Sequence, residues 1–188
     1  VINATCINNI ESGAKRRIKG LYRSVIPKLK NHKFYILGPS DCDVSSLFNF
    51  ENVEYIKTSL LSYNSFQRYV VGFFSLPKLL KKIKPNIYEQ FHLPLIKSPN
   101  GKTFLTIHDN RYSIYSDVFS LRPKFISEYI TKMAIKKSDQ VITVSHYMKK
   151  EIDNIFPNNK TDVIHNGIED IAEININKFE ILNKFFLH

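Results

Sequence analysis

Cysteine is scarce in this sequence of 188 residues, with Cys6 and Cys42 its only two. Two thiols cannot complete a zinc site of the usual four ligands, and nothing else resembles a disulfide framework, so both are expected to be reduced thiols of a cytosolic protein. Long apolar runs are lacking as well. The longest, around Val70 to Leu80, is interrupted by Ser75, Pro77 and Lys78 well short of the roughly 18 residues that span a bilayer, which argues against a transmembrane helix. The opening Val1–Ile7 has neither the basic start nor the apolar stretch of a signal peptide, and the missing initiator Met gives the expectation of a trimmed chain. Glycine is thin where a nucleotide loop needs it. Asn8–Arg17 holds Gly13 alone where G-x-G-x-x-G requires three, and no Walker lysine motif occurs, so dinucleotide and P-loop readings fail.

What is present is a foldable chain. Hydrophobic residues make up 43% and charged residues 23%, with 14 Phe and 10 Tyr, well outside the composition of disordered chains and of a length for one domain. The net charge is +10 and it is uneven: residues 1–94 carry 14 bases and 6 acids, residues 95–188 carry 13 and 11. Lys15–Lys33 holds eight bases and no acid, and Lys78, Lys81, Lys82 and Lys84 form a second knot. A Lys-, Asn- and Ile-rich composition explains the total but not this clustering. Nucleic-acid binding is disfavoured, because no such motif is present and the bases follow helix faces instead of interleaving with aromatics on strands.

Short β-branched or aromatic runs alternate with longer helical stretches, the order of a parallel sheet with crossover helices. The expected strands are Val1–Ile7, Lys33–Gly38, Val53–Lys57, Asn86–Glu89, Lys102–His108, Gln140–Val144 and Asp162–His165. A first helix is predicted from just after Gly13 to about Lys30, with Ala14, Ile18, Leu21, Val25 and Leu29 on one face and the bases largely on the other. A second covers about Ser65–Lys84, kinked or broken at Pro77, which lacks a donor. A third runs from near Pro123 to near Lys137, and a fourth starts at Ser145, whose hydroxyl can cap it.

Four constellations could carry chemistry at the carboxyl edge of such a sheet, where ligands usually bind. In the first loop the amides at the helix start, with Lys15, Arg16 and Arg17, would attract phosphate, although a basic helix start is also an ordinary solvated surface. Thr106-Ile-His108-Asp109 closes an apolar strand. His108 there could exchange a proton or bind a hydroxyl, or simply satisfy backbone groups at a strand end. Ser145 is most simply a cap, and Asn166-Gly167 most simply a tight turn.

In their order along the chain, Ser12-Gly13-Ala-Lys-Arg16-Arg17, Thr106-Ile-His108-Asp109, Val141-Ile-Thr-Val-Ser145 and Val163-Ile-His-Asn166-Gly167-Ile-Glu169 resemble the N-terminal half of a family 4 (group 1) glycosyltransferase. The resemblance implies an α/β, Rossmann-like parallel sheet with helices on both faces, the N-terminal half of the GT-B architecture. It further implies retaining transfer from a nucleotide-sugar donor to a glycan or lipid-linked acceptor, in polysaccharide or glycoconjugate biosynthesis, without metal or other cofactor. It places Ser12, Gly13, Arg16, Asp109, Ser145, Asn166 and Gly167 around the substrates and His108 at the transferred sugar. Lys15 stands where the family often has a second glycine, Arg17 where it often has an aromatic, and Glu169 where it has Asp, so donor contacts are not carried over to Lys15 or Arg17.

Residues 1–168 are accordingly expected to form the acceptor-side domain. The acidic stretch from Glu169, followed by Phe185–His188, is expected to be the linker and first strand of a missing C-terminal donor-binding domain. A stand-alone sugar- or phosphate-binding domain is the other reading of the same residues. Phe73–Lys84 puts apolar and cationic residues together as a membrane-surface segment does, so peripheral contact at the inner face of the membrane is the alternative to an ordinary core helix with a wet lysine face.

Overall fold

The computed structural model describes residues 1–10, 12–109, 121–157 and 161–167. Seven strands, β1 (Ile2–Asn3), β2 (Phe34–Gly38), β3 (Val53–Lys57), β4 (Ile87–Gln90), β5 (Lys102–Ile107), β6 (Gln140–Thr143) and β7 (Thr161–Val163), form one sheet in the order β3-β2-β1-β4-β5-β6-β7. Every pairing is parallel. Among the described residues, four α-helices connect them: α1 (Gly13–Val25), α2 (Ser65–Ile83), α3 (Leu121–Lys137) and α4 (His146–Ile155). The expected linker and final strand in 169–188 lie outside the described residues.

Side-chain alternation along the strands sends neighbours to opposite cores. On β2, Ile36 joins Ile18 and Ile26 of the α1 segment, while Leu37 joins Leu76 and Leu80 of α2. On β5, Leu105 and Ile107 pack against Ala134 and Ile135 of α3 and Met148 and Ile152 of α4. Because Leu105 is in register with Gln90, two residues along from Tyr88 of the α2 core, α2, α3 and α4 share one face and α1 covers the other. That gives the two-sided α/β, Rossmann-like architecture.

Three elements differ from expectation. β1 is two residues long, not seven. Its last residue, Asn3, turns its side chain inward: Oδ1 accepts from the backbone N–H and hydroxyl of Thr5 and Nδ2 donates to Tyr88 Oη at 2.8 Å, and after a last backbone bond from Ala4 N to Leu37 O the chain turns, Ile7 N donating back to Ala4 O. α1 stops at Val25 and tightens into a 3-10 turn at Ile26–Lys28, because Pro27 has no N–H to donate back along the helix. α2 runs unbroken through Pro77. Leu76 and Leu80 on either side are both buried in one core, and the carbonyl that Pro77 leaves unpaired belongs to Phe73, an exposed residue within reach of water.

Backbone space is tight near the crossing from α2 to β4. Lys84 ends α2 in the left-handed region at φ 53°. Gly101 sits at φ 69° with its α-carbon so close to this segment that a Cβ would meet the Pro85 carbonyl oxygen at 2.1 Å, so only glycine fits.

Candidate functional site

The sheet order reverses between β1 and β4, and the crevice outside the carboxyl ends of those strands is where an open parallel sheet binds its ligand. The chain passes this edge repeatedly, in the segments after β1, β4, β5, β6 and β7. Ser12 caps α1 in extended geometry, its Oγ accepting from Lys15 N at 3.2 Å, so part of the amide set at the helix start is already satisfied. Gly13 opens the helix. A Cβ there would meet nothing within 4 Å, so packing does not require glycine and the backbone is bare to the crevice. Arg16 lies on the exposed side of α1.

Arg17 behaves differently. The bases of α1 were expected on its wet face, yet Arg17 is 2% exposed. Its Nη1 donates to Ile164 O at 2.8 Å and to Asn166 Oδ1 at 3.0 Å, tying the start of α1 to the segment after β7. Its Nε and Nη2 are buried with no hydrogen-bond partner among the described residues. Burial draws its proton affinity down, and the charge of Glu89 draws it back up.

Glu89, on the α1 face of β4, is the carboxylate at this point. It accepts from the Tyr22 hydroxyl of α1 and from Thr106 Oγ1 of β5 at 2.6 Å. Burial raises its pKa, while those two hydroxyls and the Arg17 cation oppose the rise. Tyr22 is in turn held well above the usual phenol range by burial and by this carboxylate.

His108 follows β5 on the same face. Its ring lies 6.5 Å, centroid to centroid, from Phe91, which meets Tyr22 edge-on at 6.3 Å. Nε2 of His108 is buried without a hydrogen-bond partner among the described residues. Burial first, and the Arg17 charge second, lower its pKa, and the neighbouring Asp109 carboxylate works the other way. Lowered from its usual value, the imidazole is neutral near pH 7, with Nε2 free of partners among the described residues. Such a group can accept a proton or orient a hydroxyl.

The remaining residues separate into two sets. Asp109 is exposed at the end of β5, next to His108. Ser145 is engaged by α4, its Oγ accepting from Met148 N at 3.2 Å, so its hydroxyl performs the capping role. Asn166 is brought to the crevice through Arg17. Gly167 is not in the left-handed region and would tolerate a Cβ, so the tight turn expected at Asn166-Gly167 is not what places glycine there. The His165 Nδ1–H is directed to Val144 O at 3.2 Å, joining the segments after β6 and β7.

A second set of groups gathers around Arg68 at the same edge, and the sequence did not single it out. Arg68, in the first turn of α2, is buried and its Nη1 donates to the carbonyls of Leu61, at 2.9 Å, and Ser62. His92, after β4, is driven down to about 3 by burial and then by the Arg68 charge, and its Nδ1 has no hydrogen-bond partner among the described residues. Cys6, after β1, packs against the α1-side core, and burial pushes its thiol up to about 11. The buried Gln90 side chain shapes the loop between these groups, donating to His92 O and Pro94 O at 2.7 Å each and accepting from Ile96 N.

Among the described residues, no three His, Cys, Asp or Glu side chains are grouped to hold a metal ion, and no helix is long and apolar enough to cross a membrane. No curated protein is significantly similar to the chain. The family model described as Glycosyltransferase Family 4, however, matches residues 13–170. That span takes in the bare start of α1, the Arg17–Glu89–His108 cluster and the Arg17–Asn166 bond, and by it the chain belongs to glycosyltransferase family 4 and carries a sugar-transferase domain.

Proposed function

We propose that the protein transfers a sugar, with retention at the anomeric carbon, from a nucleotide-sugar donor to a glycan or lipid-linked acceptor in polysaccharide or glycoconjugate biosynthesis. It acts in the cytoplasm, at the inner face of the membrane. The bond between the anomeric carbon and the diphosphate oxygen breaks, a bond to an acceptor oxygen forms, the electron pair leaves with the nucleoside diphosphate and the acceptor loses its proton.

The observation that carries this reading is the convergence, on one sheet edge within a glycosyltransferase span, of a buried cation, a neutral histidine and an uncovered helix start. Negative charge that develops on the leaving diphosphate is stabilised by amides and cations already fixed in place. In this reading the amides at Ser12 and Gly13, with Arg16, face the phosphates. His108 and Asp109 face the transferred sugar, and Ser145, Asn166 and Gly167 line the acceptor side. The position of Arg17 adds it to the set as a positioning residue that holds Asn166 and the α1 start together.

In this reading residues 1–168 supply the acceptor side, and the donor is held chiefly by a donor-binding domain. Residues 1–188 by themselves are then expected to release no nucleoside diphosphate from a panel of nucleotide sugars. The chain joined to a donor-binding domain should do so, and His108→Ala should slow it about a hundredfold or more. Turnover by the isolated 188-residue chain would overturn the division of labour. An unimpaired His108→Ala enzyme would remove His108 from the site.

A further inference from the structure

A helix that packs one apolar stripe against a sheet normally turns a polar one to water. α2 has an apolar stripe on both sides. The inner one, Gly72, Leu76 and Leu80, is buried against Leu37, Leu60, Tyr88 and Ile96. The outer one begins at Tyr63, 72% exposed, and continues at helical spacing through Phe66 at 77%, Tyr69 and Val70, then Phe73 at 56% and Phe74 at 66%. Its rings touch, Tyr69 with Phe73 at 6.3 Å and Phe73 with Phe74 at 5.2 Å between centroids. Single exposed apolar residues are ordinary, whereas a contiguous aromatic surface marks an interaction site.

Past Pro77 the exposed positions of the helix become cationic, with Lys78 and Lys81 following Phe74 at four and seven residues. Lys78, Lys81 and Lys82 are exposed, and Ser65–Lys84 contains no acid. α2 leaves the carboxyl end of β3 and returns to the start of β4, so its aromatic end stands at the sheet edge that carries the candidate site. The lysines lie about 20 Å farther along at 1.5 Å per residue.

We propose that this outer stripe of α2 is the docking surface for an anionic lipid bilayer, with the rings seated among the headgroups and the lysines on lipid phosphates. Charge selects the occupant. A second copy of the chain would bring the same lysines, and residues 1–94 already carry 14 bases against 6 acids. An anionic leaflet offers both an apolar layer for the rings and a negative surface for the lysines. The inference rests on the transferase reading only in what it adds to it: with its aromatic end at the site edge, the docked domain meets an acceptor anchored in the leaflet, so the acceptor is lipid-linked and not a free glycan.

Co-sedimentation with vesicles tests the surface. The 188-residue chain should bind phosphatidylcholine vesicles containing phosphatidylglycerol, and bind roughly tenfold or more weakly to phosphatidylcholine alone. K78S/K81S/K82S should fall to the neutral-vesicle level on both. F66S/F73S/F74S should lose binding to the mixed vesicles with an unchanged thermal melt, since these rings support no core. Absence of binding to the mixed vesicles overturns the proposal. So does retention of binding by F66S/F73S/F74S, or a vesicle-free dimer in analytical ultracentrifugation that this variant abolishes. Vesicle binding needs neither donor nor acceptor, so its failure leaves sugar transfer standing. A chain that binds vesicles but, joined to a donor-binding domain, transfers nothing would sink the transferase reading instead.

Discussion

α1 and α2 break the usual inside-outside rule in opposite directions. α1 is a basic helix that takes one cation, Arg17, into the interior, while α2 is an apolar helix that leaves a row of aromatic rings in water. Both departures are at or near the carboxyl edge of the sheet, one turned into the crevice and the other outward. A domain that only had to fold would gain by exchanging them, because a buried guanidinium loses hydration and an exposed phenylalanine loses the benefit of burial. Residues placed against their own solvation preference are where a fold gives up stability for function.

The comparison breaks most visibly on the inner side of α2. Leu80→Ala removes a fully buried side chain at the centre of a core and is expected to cost about 3 kcal/mol in chemical denaturation. A loss below about 1 kcal/mol would mean that α2 is held by something other than this stripe. Next is Arg17→Met, which keeps volume and removes two charged hydrogen bonds, for an expected loss of about 2 kcal/mol. The accompanying sign is more telling. Without the Arg17 cation the His108 imidazole should titrate higher in NMR, and an unmoved His108 would separate the two residues electrostatically.

The pH dependence has a comparable size. A histidine whose folded pKa is depressed contributes stability that is present above its usual 6.5 and is lost as pH falls through the window toward the folded value. For His92, held at about 3, acidification from pH 7 to pH 5 should cost about 2 kcal/mol, and His108 adds in the same direction. Glu89, raised by burial, works in the opposite sense, losing stability as pH rises through its folded value. Denaturation at the two pH values in wild type and His92→Asn isolates the histidine part, and an equal slope in both would rule out His92 as its source. The smallest effect belongs to the outer face of α2, where Phe74→Ser should change stability by no more than about 0.5 kcal/mol. A larger loss would show that the exposed stripe is part of the core.

Both buried arginines left a trace in the sequence. Arg17 lies three residues after Ala14 and four before Leu21, and Arg68 stands at intervals of four from Gly72, Leu76 and Leu80, so each is a cation written into an apolar stripe. Spacing alone could not distinguish a buried charge from one that snorkels out at the end of a helix. Glu89 was harder to see. It lies in a short strand with no pattern of its own, and its partners, Tyr22 and Thr106, are 67 and 17 residues away. The capping task of Ser145 was legible, because its partner Met148 is three residues away, whereas the bond of Asn166 to Arg17 spans 149 residues and depends on a contact that only the fold brings about.

Local chemistry determined what the sequence could determine by itself. Alternating apolar runs specified seven strands and their parallel sheet, Ser145 specified a helix start, and four short motifs in order specified the family, because each of these rests on neighbours within a few residues. Only the tertiary structure decided how far β1 extends, whether Pro77 interrupts α2, which cation is buried and which aromatic face stays open. Those outcomes depend on the free energy of burying one group against another that the chain brings from far away, and no local pattern encodes which of two similar stripes the sheet will cover.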